Sequence, residues 1–193
     1  MNATETKIDK SAKTAGIVLT VAEVLCIILM ATLIIITGAF GVIFTAAGDL
    51  GFSETVGSDD VIADFTSLTP DGTEYSASTL MAILASAVVS AEIYLGLILA
   101  ILIISNRFFE ETRKALTPFI TENAKRIRII AGLVLIASVV PTFIDWIGSA
   151  ILMLPLDFST ISIEGIIIAV IIYCIGILFE HGCELQKEAD ETL

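Results

Sequence analysis

From residue 15 to residue 48 the chain carries one charge, Glu23, within a run of aliphatic and small residues. A bilayer core is crossed by about 20 helical residues, so this run exceeds a single crossing and restricts the chain to folds that surround a long apolar helix with lipid or protein. Three further apolar runs follow, near residues 79–104, 129–150 and 161–179, and the first is centred on residues 18–45. With 56% hydrophobic residues and a mean hydropathy of +0.94, the apolar surface is more than one small water-soluble core can hide. The sequence predicts an all-α integral membrane protein of one domain, with four transmembrane helices in an antiparallel bundle.

The ten Lys and Arg residues orient that bundle. Lys7, Lys10 and Lys13 precede the first run, Lys187 follows the last, and the other six lie in the connector Ser105 to Arg128 between the second and third runs. Short loops rich in Lys and Arg stay in the cytoplasm. The first outer loop, residues 46–78, holds seven acids and no base, with turn chemistry at Pro70-Asp71-Gly72. The second outer link is a short acidic stretch around Asp157. Both termini are therefore expected in the cytoplasm of a multi-pass cell-membrane protein. The first run is about twice the length of a signal-peptide core, and it is expected to remain uncleaved. Cys26, Cys174 and Cys183 form no CxxC pair and are expected as free thiols.

Within the connector, Thr117-Pro118 has the form of an N-cap followed by proline at the first helical position, which predicts a third helix beginning at Pro118. Arg107, Lys125, Arg126 and Arg128 are candidate contacts for anionic lipid headgroups. Phe108, Phe109, Leu116, Phe119 and Ile120 place large apolar groups among these charges, and something must cover them. Phe119 and Asn123 here, with Glu184 and Gln186 in the tail, are candidate docking residues for a cytoplasmic partner.

Acids inside the apolar runs are a second class of candidate, because an ionisable group in hydrocarbon costs about 2.5 to 3.5 kcal/mol and must be neutral, paired or near water. Glu92 lies near the middle of the second run, on a helical face with Ala85, Val88, Val89, Leu95 and Gly96. Glu23 is nearer the basic N-terminal end of the first run, and Asp145 lies beside Trp146 in the third. In the fourth, Gly165, Ala169, Tyr173, Gly176 and Glu180 share one face. Its small residues would let another helix approach, with the Tyr173 hydroxyl turned toward an acid. Glu23, Glu92, Tyr173 and Glu180 thus form a candidate intramembrane polar site. Pro141 is expected to bend the third helix.

Several chemistries find no residues to carry them. A lone histidine, His181, excludes bis-histidine haem ligation, and there is no Walker A loop, GxSxG elbow or HExxH motif. Cys183 would point away from the face shared by His181 and Glu184, so that group with Glu188 does not make a metal site. A non-enzymatic chain without metal or cofactor, and without direct nucleic-acid binding, is expected.

Pro118-Phe119, the run Glu122 to Arg128, and the tail Gly182 to Thr192 together resemble the small prokaryotic four-span family named domain of unknown function 2975. The resemblance implies no established activity. It does imply a genetic association with a small helix-turn-helix regulator, and hence a membrane component of a regulatory pair. A small proton- or cation-coupled transporter or channel using Glu92 is the competing expectation. An immunity or stress-response protein that binds another membrane protein is a third.

Overall fold

The computed structural model describes residues 3–49, 77–152 and 162–192. The middle of the acidic outer loop, the link around Asp157 and the Asp145 side chain lie outside the described residues. Among the described residues the chain is all-helical, with α1 (Ala3–Asp49), α2 (Ala77–Ala115), α3 (Thr121–Leu152) and α4 (Ile163–Glu191). Each is long and apolar enough to cross a membrane, which is the architecture of a multi-pass membrane protein.

Hydrocarbon offers no hydrogen-bond partners, so polar side chains in these helices bond to their own backbone. The Thr32 and Thr37 hydroxyls donate to the carbonyls of Ile28 and Leu33 at 2.7 and 2.8 Å. Ser105 and Ser138 bond in the same i−4 manner to Ile101 and Val134. α3 continues as helix through Pro141, a tolerance common in membrane helices. α4 opens on Ser162, whose hydroxyl accepts the Gly165 N–H at 3.2 Å, and Glu164 complements the positive end of the helix dipole.

Two helices run further than the apolar pattern alone indicates. α1 takes in the basic N-terminal segment and reaches 47 residues, far more than one crossing needs. α4 continues past the apolar run to Glu191, where Thr192 caps it through Ala189. The third helix starts later than expected, at Thr121 rather than Pro118. The cause lies in the preceding turn. Leu116 closes α2 with φ 55°, a left-handed conformation that a branched side chain seldom adopts. The residue before a proline is in turn pushed out of the α region. The Pro118 carbonyl accepts the Ile120 N–H at 2.9 Å, and Ile120 supplies the first helical acceptor, to the Asn123 and Ala124 amides.

The principal contacts join α1 to α2, α2 to α3, and α3 to α4. Small residues set the spacing of the last pair. A Cβ added at Gly165 would overlap the Ser138 side chain, and one at Gly176 would lie 3.0 Å from Arg128 Cγ and 3.3 Å from Ile127 Cγ2. Ala131 and Ala169 are buried in the same seam. Gly96, on the face it shares with Glu92, has nothing within 4 Å of such a Cβ. α1 stands at the edge of the assembly and exposes Ile17, Val21, Leu25, Ile28 and Ile35; water would not tolerate such a surface, whereas lipid does.

Gly165→Val should overfill the α3–α4 seam and cost about 1–3 kcal/mol, read as a lower melting midpoint in detergent. Gly96→Ala should leave the midpoint unlowered.

Candidate functional site

The best-packed polar cluster lies where α2 turns into α3. Asn123 is 0% exposed and is the largest fully buried side chain among the described residues. Its amide nitrogen donates to Thr112 Oγ1 at 3.0 Å and to the Pro118 carbonyl at 3.2 Å, and its Oδ1 accepts from Arg126 Nη1 at 3.1 Å. Thr112, also buried, passes its own hydrogen to the Phe108 carbonyl at 2.9 Å. Arg126 continues the network to the Arg107 carbonyl at 3.4 Å and to Glu111 at 3.8 Å. Every hydrogen-bonding group of the Asn123 amide is therefore used, the condition under which a buried polar side chain stabilises rather than costs.

The end of α4 lies against this turn. Phe179 packs on Phe119 with ring centroids 5.2 Å apart and meets Phe108 edge-on at 6.1 Å, while Phe108 makes a second edge contact with Phe109. Gly182 is needed here, because a Cβ would stand 2.8 Å from Phe119 Cε1. The Thr117 hydroxyl donates to Gln186 Oε1 at 3.3 Å while accepting the Phe119 N–H. Arg128 pairs with Glu180, and its Nε is buried without a hydrogen-bond partner among the described residues.

This geometry redistributes the candidate residues. Asn123, expected at a docking surface, is instead the buried hub. Arg126 and Arg128, expected at lipid headgroups, have carboxylate partners within the protein. Lys125 pairs with Glu122 at 3.2 Å, and Glu184 with His181 at 3.1 Å. Arg107 contributes its carbonyl, and Gln186 its amide oxygen. Phe119 stays 44% exposed, so Phe179 covers it only in part. Tyr173 is 50% exposed, beside Arg128 and Leu135 at an apolar groove of about 310 Å³. Among the described residues no group of His, Cys, Asp and Glu is arranged to hold a metal ion.

A second cluster runs along the α1–α2 seam. The less exposed face of α1 is Ala12, Gly16, Leu19, Glu23, Cys26, Met30, Leu33 and Thr37, at alternating spacings of four and three. The matching stripe on α2 is Glu92, Leu95, Leu99, Leu102, Asn106, Phe109 and Arg113, in the same rhythm. The Asn106 amide donates to Thr20 Oγ1 at 3.2 Å, and the Cys26 thiol meets the Leu95 carbonyl at 3.6 Å. Glu23 Oε1 and Glu92 Oε1 are both buried without a hydrogen-bond partner among the described residues.

Thr112, Thr20 and Asn106 were not singled out by sequence, and Cys26 was expected only as a free thiol. The spacing of fourteen from Glu92 to Asn106, a whole number of heptads, was the signal that would have put both on one seam. Comparison with protein families, curated proteins and solved structures finds no match to this chain.

Asn123→Ala should destabilise the protein by about 2 kcal/mol through the unpaired groups it leaves, and Thr112→Ala by less. The double variant should lose less than the sum of the two, measured by thermal unfolding in detergent.

Proposed function

We propose that this chain is a non-enzymatic protein of the cell membrane, its four helices antiparallel and both termini cytoplasmic, that engages a cytoplasmic partner through the face built by the α2–α3 connector and the end of α4. The Lys and Arg distribution supports the orientation. The antiparallel arrangement is supported by contacts that climb one helix as they descend the next: Asp9 to Arg113, Gly16 to Asn106 and Cys26 to Leu95, then Thr112 to Asn123 and Gly148 to Ser86.

One observation carries the docking reading. α4 continues as a single helix to Glu191, and Phe179, Gly182 and Gln186 clamp it to the connector. Its outer face is thereby held in a fixed place, with Leu185 66% exposed among exposed Glu184, Lys187 and Glu188. A rigid helix end presenting one large apolar group within charge is suited to protein recognition. The motif resemblance to the domain of unknown function 2975 family supports a DNA-binding helix-turn-helix regulator as the class of partner.

The test is co-purification from detergent with a small helix-turn-helix regulator, should the neighbouring gene encode one. Retention by the full chain, and at least a tenfold loss on Leu185→Ser with Glu188→Lys, is expected; no association with the full chain would refute the reading.

A second reading rests on Glu23 and Glu92. Two buried carboxyls in one helix seam, each with an unpartnered oxygen, suit a proton- or cation-coupled carrier. In proteoliposomes under an imposed pH gradient, Glu92→Gln should abolish dye-reported proton flux while leaving the melting midpoint unchanged. Equal flux in the variant would remove this reading.

A further inference from the structure

At the end carrying Lys13 and Arg113, the α1–α2 seam opens into a groove of about 430 Å³. Its lining is graded along its length. Lys13 and Arg113 provide cationic donors at one end, Ile17 and the Phe109 ring form an apolar wall beyond them, and Asn106, bonded to Thr20, lies beside Val21 at the other end. Gly16 keeps the floor low, since a Cβ there would already stand 3.6 Å from Asn106 Oδ1.

The charges inside the groove leave it receptive to an anion. Glu110 is paired with Lys114 at 3.1 Å, and the contact between Arg113 Nε and Asp9 is long, at 3.7 Å. Among the described residues Lys13 has no carboxylate partner. The chain as a whole has a formal charge of −12 and repels anions at long range, so an anion held here must be recognised locally. From Lys13 to Val18 helix α1 rises by about 8 Å. That rise separates the Lys13 and Val18 backbone positions, so the cationic donors stand at the polar edge of the apolar stretch and the apolar wall lies within it.

We infer that this groove is a binding site for one anionic phospholipid, with its phosphate between Lys13 and Arg113 and an acyl chain along Ile17, Val21 and Phe109. A guanidinium and an ammonium converging on a phosphate make charge-assisted hydrogen bonds, and the half-apolar wall favours a lipid over free phosphate. A wider groove lies on the other side of Phe109, with Lys10 as its single cation and no basic group from α2. It lacks the paired donors and serves as the internal control.

The experiment is thermal unfolding of the full chain in a neutral detergent, titrated with phosphatidylglycerol, with phosphatidylcholine and with inorganic phosphate. Phosphatidylglycerol alone should raise the midpoint. Lys13→Gln and Arg113→Gln should each raise the half-effective concentration roughly fivefold, the equivalent of about 1 kcal/mol per cation near a lipid surface, and Lys10→Gln should leave it unchanged. Equal stabilisation by phosphatidylcholine, an equal effect of inorganic phosphate, or an equal loss in Lys10→Gln would each overturn the assignment. Should Arg113→Gln unfold the protein, the single Lys13→Gln variant decides, since Lys13 is exposed and substituting it leaves the helix contacts intact. A photoactivatable phosphatidylglycerol should then crosslink to the peptide containing Phe109, and crosslinking confined to other helices would count against the site.

Discussion

A peptide group in hydrocarbon has only the protein to bond to, and the rest of this molecule follows from that constraint. It makes every crossing a helix. It also returns the Thr and Ser hydroxyls of the apolar segments to their own carbonyls, and it confines irregular backbone to places where side chains can complete it. The turn from Leu116 to Ile120 is such a place. Its carbonyls and amides are met by Asn123, Thr117 and the first turn of α3, so a break between two long helices carries few unpaired groups.

Packing is unevenly distributed as a result. Around the connector, aromatic rings, a fully bonded amide and an arginine network hold three helices together. Along α1 the contacts are narrower and the seam includes two acids and a thiol. Rigidity at one end of the molecule and polar, loosely satisfied groups along one edge are separate properties. They support separate functional readings, docking for the former and ion or proton binding for the latter.

The helical crossings were legible in the sequence because an apolar run of such length has few alternatives. The burial of Asn123 was not, since an Asn among Glu, Lys and Arg has the composition of a solvated surface. Only its pairing with Thr112, across the turn, shows otherwise. Thr117-Pro118 misled for a local reason: it carries the signature of a helix start, but the left-handed Leu116 and the use of the Pro118 carbonyl by Asn123 delay the helix to Thr121. Past the apolar run, helix-favouring residues and pairs such as Lys187 with Glu191 carry α4 onward.

The order of the contacts bears on how the protein is made. Each principal seam joins a helix to the one synthesised immediately before it, so a newly inserted helix meets its partner without waiting for a distant segment. Such local pairing keeps the loop-closure entropy of assembly small and favours fast folding. It lets the molecule be built one helix pair at a time as the chain emerges, with the α2–α3 pair, joined through Asn123, ready as the template on which α4 docks last.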